Sequence, residues 1–303
     1  MILLESYLIF NSLKITMIDE ILAKFEGAFA QNTIRAYRSD FIQYEQWCEQ
    51  RRIKTLPVRA QHLASYVDYL STYAKSATIR RRINSLGTIL KLSKKHDPTK
   101  EPEVILAVKR MHRKIGRAQT QATPLTKKNV TKLIANCDNS TIGLRNKVLL
   151  KLGYETMRRR SELCSFKFED LMDLANGKPA IKLKFSKTDQ YGEGKIIPIS
   201  DELHCLLRQW KNLVRKEGYI LRSVNRHGQI SNHLNPSSIN TILKSLEKNL
   251  DIHLGGKPLS GHSFRVGAAI DLLEEGKSLA EIMLKGGWKS DGMAIKYLRN
   301  FEI

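Results

Sequence analysis

Several short segments in the second half of this chain hold polar residues that an apolar core would not select. Gly153-Tyr154-Glu155-Thr156-Met157-Arg158-Arg159-Arg160-Ser161-Glu162-Leu163 ends an apolar helix in three arginines. Ser186-Lys187-Thr188 lies where a hairpin would turn. Gly261-His262-Ser263-Phe264-Arg265 spaces His262 and Arg265 three apart, which puts them on one helix face. Gly286-Gly287-Trp288 follows, and Tyr297 stands in Ile295-Lys296-Tyr297-Leu298-Arg299-Asn300. Guanidiniums hold anionic oxygens through paired planar donors, which an ammonium cannot do. Imidazole and indole N–H groups add further donors, and a phenol supplies a hydroxyl. Each residue alone has a plainer explanation. Arg159 could cap a helix or pair with Glu162, Lys187 could be solvated, and His262 could be a satisfied interior histidine. Trp288 could be core packing and Tyr297 a half-buried helix residue.

The overall charge favours an anionic partner. Lys and Arg number 51 against 30 Asp and Glu, a formal net charge of +21. Such an excess repels itself in the compact state and gains nothing for folding, so its usual reason is a polyanion. No run approaches the roughly 20 apolar residues that span a bilayer, and no amphipathic anchor supports a membrane-surface protein. Hydrophobic residues make up 42% and charged ones 27%, enough for real cores. With 303 residues, two domains are expected. Cys48, Cys137, Cys164 and Cys205 show no CxxC spacing. They read as small buried hydrophobes in a reducing cytoplasm, with neither disulfide nor metal implied.

These residues need a scaffold. Between Asn32 and Leu106 the pattern is consecutive amphipathic helices. One carries Ile34, Tyr37, Phe41, Tyr44 and Cys48. A second runs over 60–74 with Leu63, Val67 and Leu70 inward. A third carries Ile79, Ile83, Leu86 and Leu90 with the block Arg80, Arg81 and Arg82. A fourth has Val104, Val108, Met111 and Ile115 flanked by Lys109, Arg110, Arg113 and Lys114. Repeated cationic patches on one small bundle point to phosphate contact, so these seven cations are candidate DNA-binding residues. Residues 116–124 have no apolar period and end at a proline, as a linker would. Beyond them helices are expected at 126–137, 143–155, 200–216, 236–249, 261–275 and 278–286. Residues 179–186 and 195–199 form a hairpin around a turn-rich 189–194. The expected fold is mainly α with a small β-hairpin or sheet. A helical DNA-binding domain over 17–115 precedes a mixed, mostly helical domain over 125–303. Residues 1–16 read as an extension ahead of a start at Met17.

The order Arg…Lys…HxxR…Trp…Tyr in a basic two-domain chain resembles the tyrosine recombinase (phage integrase) family. The likeness covers both halves and is closest from Ser260 through Asn300. It implies a core-binding helical domain, a catalytic domain, double-stranded DNA as partner, and cleavage and rejoining through a 3′-phosphotyrosyl link. Position by position it implies Arg159 as the first catalytic arginine, Lys187 as the hairpin lysine, and His262 and Arg265 as the HxxR pair. Trp288 matches a position that is histidine in many members, Tyr297 the nucleophile, and Glu162 an accessory acid. The roles suit the reaction. Two arginines, His262 and Trp288 would hold the charge of a phosphorane-like state. Tyr297 would conserve the broken bond's energy as a phosphotyrosine, so no ATP is needed. Lys187 would protonate the departing 5′ oxygen. No metal or other cofactor is implied. Arg158 and Arg160 stand where the family usually has apolar residues, and read as phosphate or solvent contacts.

Two other readings compete: a type IB topoisomerase-like enzyme and a catalytically silent DNA-binding relative. A covalent protein–DNA adduct separates enzyme from binder, and joint products from two DNA molecules separate recombinase from topoisomerase. The family continues past its nucleophile into a helix that docks on a neighbouring subunit. Six residues follow Tyr297 here, about 9 Å even if helical. Self-assembly is therefore expected on DNA and not in free solution.

Overall fold

The computed structural model describes residues 17–118, 120–186, 192–214, 217–249 and 257–298. Residues 1–16, the Lys187 position and the segment after Leu298 lie outside them. The chain divides into two compact units, Met1–Thr120 and Gln121–Ile303.

In the first unit the described elements are all helical: α1 (Met17–Ala23), α2 (Gln31–Gln50), α3 (Ala60–Leu70), α4 (Ser76–Leu92) and α5 (Pro102–Ile115). The apolar stripes converge on one core. Phe41, Tyr44 and Cys48 from α2 meet Leu63, Val67 and Leu70 from α3, and Ile79, Leu86 and Leu90 from α4. Val104 and Met111 of α5 join them, but Ile115, expected in that stripe, is 37% exposed because it closes the helix beyond the core. Tyr44 and Tyr66 cross edge-on with ring centroids 5.2 Å apart.

The block Arg80 to Arg82 does not form one cationic face. A helix turns each successive residue about 100°, and here that separates the three. Arg80 points to solvent. Arg81 donates to the fully buried Asp40 at 2.5 Å, and Ser85 donates to the same carboxylate oxygen at 2.7 Å. Arg82 is itself buried, with Nε 4.0 Å from the other oxygen of Asp40. On α5, Lys109, Arg110, Arg113 and Lys114 are all exposed, and Arg110 pairs with Asp68 at 3.1 Å.

The second unit contains α6 (Lys127–Ala135), α7 (Thr141–Thr156), α8 (Arg160–Ser165), β1 (Leu171–Asp173), β2 (Pro179–Leu183) and β3 (Lys195–Pro198). It continues with α9 (Asp201–Val214), α10 (Ser238–Asn249), α11 (Gly261–Glu274), α12 (Leu279–Gly286) and α13 (Asp291–Leu298). The strands form an antiparallel sheet in the order β1-β2-β3, with Ile181 opposite both Leu171 and Ile197. The expected hairpin is thus two strands of three. Residues 121–124, read as linker, are bound into this unit: Thr123 donates to the Lys257 carbonyl, and the Leu125 N–H to the Ser263 carbonyl.

The main core gathers Val148, Leu149 and Leu152 of α7, Leu203, Leu207 and Trp210 of α9, and Phe264 of α11. Gly153 is required where α7 crosses α11, because a β-carbon there would come within 2.6 Å of the Phe264 ring. A smaller core under α12 and α13 holds Met157, Ala268, Ala269, Ile282, Trp288 and Ala294. Cys48, Cys137 and Cys164 are buried as expected, but Cys205 is exposed. It sits two residues after Leu203 on α9, on the side opposite the Leu203-Leu207-Trp210-Val214 stripe.

Candidate active site

α7 ends at Met157, which takes a left-handed backbone (φ 52°, ψ 32°) although it is not glycine. Such a residue is held by its surroundings. Met157 is wholly buried, and its carbonyl accepts from Nη1 of Arg265. The reversal brings Arg159 to the position just before α8. Glu162, three residues on, accepts from the Arg159 backbone N–H at 3.0 Å and from its guanidinium at 2.9 Å. That carboxylate is 4% exposed, so it fixes both the start of α8 and the aim of the Arg159 side chain.

α11 supplies Arg265, which has no solvent exposure. Its guanidinium carbon lies 4.7 Å from the centroid of the Trp288 ring and 5.7 Å from that of Tyr297. The Trp288 and Tyr297 rings are 4.9 Å apart and tilted by 35°. Burial pushes the Arg265 pKa down and the Arg159 charge adds to this, while Tyr297 opposes both. Only Nη1 is committed to the backbone. Nε and Nη2 of Arg265 and Nε1 of Trp288 are buried and reach no acceptor in hydrogen-bond geometry among the described residues.

The path to Trp288 explains the two glycines before it. Gly286 ends α12, and a β-carbon there would lie 2.3 Å from the indole, which packs against the glycine. Gly287 follows in a left-handed conformation, φ 67°. Tyr297 lies on α13, where Ala294 faces the core and the phenol ring is half-buried, and its carbonyl accepts from the Gln121 side chain.

Arg159, Glu162, Arg265, Trp288 and Tyr297 are therefore brought together. His262 is exposed in the first turn of α11, one turn before Arg265. Lys187 lies outside the described residues. Arg158 differs from its reading as a phosphate or solvent contact. It is 3% exposed, donates to the carbonyls of Thr156 (2.6 Å) and Lys285, and has its pKa pushed down to about 10 by burial and the Arg265 charge. Lys195, at the start of β3, donates to the Leu284 carbonyl and was not singled out by the sequence. The sequence marks Arg158 only as a cation where the family usually has an apolar residue, and the partners of both residues are main-chain carbonyls, which have no motif. Among the described residues no helix is long and apolar enough to cross a membrane.

Comparison with known proteins bears on the family and the fold. Residues 123–302 match the phage integrase family model, and residues 23–92 match the N-terminal SAM-like domain of phage integrases. An integrase/recombinase xerD homolog of Selenomonas ruminantium is 28% identical over 92% of this chain and 85% of its own length. The recombinase cre of Escherichia phage P1 is 24% identical over 91% of this chain and 86% of its own. Among solved structures, a lambda integrase dimer bound to a COC′ core site superposes with TM-score 0.67 at 19% identity, covering 94% of this chain and 77% of that one. The Tn1549 transposon integrase in complex with transposon right-end DNA gives 0.63 at 15% identity, covering 93% and 94%. With its family match spanning well over half its length, the chain belongs to the phage integrase family of tyrosine recombinases.

Proposed function

We propose that this protein is a site-specific DNA recombinase that cleaves and rejoins DNA strands through a 3′-phosphotyrosyl intermediate on Tyr297. One observation carries the reading: three buried donors, two on Arg265 and one on Trp288, lack acceptors among the described residues beside the Tyr297 ring. Each buried donor left unpaired costs about 1–3 kcal/mol. Holding three of them in one place fits a site that receives an anion.

In the proposed reaction the Tyr297 oxygen bonds to phosphorus as the bond to the 5′ oxygen breaks. Arg159, Arg265 and Trp288 donate to the non-bridging oxygens, where charge concentrates. Glu162 keeps Arg159 aimed. Lys187 delivers a proton to the departing 5′ oxygen and His262 shares in the proton transfers. Attack by a 5′ hydroxyl on the phosphotyrosine reverses these steps and restores the tyrosine. The linkage conserves the energy of the broken bond, so the scheme consumes no ATP, and the arginines supply the charge that a metal would otherwise bring. Double-stranded DNA is the partner, with copies of the chain assembling on it. The exposed cations Arg80, Lys109, Arg110, Arg113 and Lys114 contact phosphates.

The test is a nicked suicide duplex carrying the cognate site, resolved on a denaturing gel. Tyr297→Phe is expected to bind the duplex as the wild type does and to form no covalent adduct. Undiminished adduct in that variant would remove Tyr297 from its role.

A further inference from the structure

The last turn of α12 is pinned from two sides. The Lys285 carbonyl accepts from Nη2 of Arg158, and the Leu284 carbonyl accepts from Nζ of Lys195. Leu284 also accepts the N–H of Gly287 at 3.3 Å, and Met283 accepts that of Trp288 at 3.1 Å. Two cations from distant elements thus meet the negative end of a helix whose final carbonyls need partners. Arg158 comes from the turn that carries Arg159, and its Nε donates to the Thr156 carbonyl at 2.6 Å. Lys195 opens the strand on the far side of the hairpin loop.

The contact with Gly287 is close. A β-carbon on that residue would lie 2.7 Å from Nη1 of Arg158, so the guanidinium rests on the glycine that immediately precedes Trp288. Met157, next to Arg158, gives its carbonyl to Arg265. One buried side chain therefore links the turn that anchors Arg265 to the helix end that launches Trp288. Keeping it there has a cost. Burial lowers the Arg158 pKa most, and the Arg265 charge lowers it further, with Glu162 opposing and Arg159 adding a smaller push downward. Lys195 is depressed by burial and by Arg158 itself. An apolar residue would fill the space without placing a third guanidinium among like charges.

We propose that Arg158 is a positioning residue for strand cleavage: with Lys195 it ties the end of α12 to the 156–159 turn and to β3, and so fixes the Trp288 indole against Arg265. The proposal rests on the recombinase reading above. Arg158 touches no reacting atom and acts through the placement of the Trp288 donor. Misplacement of a catalytic group by about 1 Å can cost on the order of a hundredfold in rate.

A double-mutant cycle on single-turnover cleavage of the suicide duplex tests this. Trp288→Phe removes the donor and is expected to slow cleavage on its own. If it does not, the reading of the site fails and the positioning role falls with it. Given that slowing, Arg158→Met is expected to lower the cleavage rate by roughly tenfold while DNA affinity stays within about twofold. In the Trp288→Phe background the same change is expected to cost less than about twofold. A purely structural role would lower both backgrounds equally, and that additivity would overturn the proposal. So would wild-type cleavage by Arg158→Met. Should Arg158→Met fail to fold, Lys195→Met carries the test. It removes only the Leu284 contact and is expected to slow cleavage about threefold, again with the effect absorbed by Trp288→Phe. A neutral or additive Lys195→Met would then count against the proposal.

Discussion

At the scale of single residues, the site combines charge with a shortage of partners. Arg265 is fully buried, with one donor bonded to the Met157 carbonyl and two left over. Arg159, with 22% of its side chain exposed, has Glu162. Arg159→Ala and Arg265→Ala are each expected to slow cleavage of a suicide duplex by at least about a hundredfold, as loss of one oxyanion donor does. DNA affinity should change far less, because the exposed cations of α5 are untouched. If both variants cleave at near wild-type rates, the catalytic assignment is wrong. Stability should move differently. Arg265→Met gives up the bond to the buried Met157 carbonyl but removes two unpaired buried donors and a desolvated charge, and replacing buried ions with apolar groups is often neutral or stabilising. Its urea midpoint is therefore expected at or above that of the wild type. A midpoint lowered by the equivalent of 3 kcal/mol or more, roughly the cost of breaking a satisfied buried pair, would mean that the guanidinium is already fully partnered in the free protein.

At the scale of elements, glycines mark where helices and turns approach most closely. A β-carbon on Gly267 of α11 would fall 2.0 Å from the Leu125 carbonyl oxygen and 2.6 Å from the Thr126 nitrogen, both backbone atoms. Gly267→Ala is expected to cost about 3 kcal/mol, the upper end of the usual range for overpacking. Gly292→Ala on α13, where a β-carbon meets nothing within 4 Å, is expected to cost none. Chemical denaturation of the two variants side by side decides the matter. This kind of constraint was hidden in the sequence, which shows that a glycine is present but not what lies beside it. Other parts were readable. Ile79, Ile83, Leu86 and Leu90 recur at helical spacing, and residues 179–186 alternate, so α4 and β2 were legible. The three residues of β1 and the six of α8 are too short for a period to emerge. In the site, Arg159, Arg265, Trp288 and Tyr297 were legible because their order along the chain is distinctive. Arg158 was not, because its partners are the carbonyls of Thr156 and Lys285. Asp40 was not, because its partners Arg81 and Ser85 lie 41 and 45 residues away.

At the scale of the whole molecule, an excess of 21 positive charges implies binding dominated by counterion release. DNA affinity is expected to fall roughly 10³- to 10⁵-fold between 50 and 200 mM salt, as six to ten phosphate contacts would require. Arg80→Gln should reduce the slope of log affinity against log salt by about one. Arg82→Gln should leave the slope alone and lower the unfolding midpoint, because Arg82 is buried against Asp40. Equal slopes for wild type and Arg80→Gln would return that arginine to simple solvation. The open donors of Arg265 and Trp288 also bear on how such a chain diverges. Selection for abundance or heat resistance alone gains nothing from buried N–H groups left without acceptors, and apolar substitutions there would be rewarded. A lineage released from the need to cut DNA would therefore lose Arg265 and Trp288 early while keeping Gly153 and Gly267, which the fold itself requires. In a mutational library screened once for soluble expression and once for recombination, the two screens should disagree most sharply at Arg265 and Trp288.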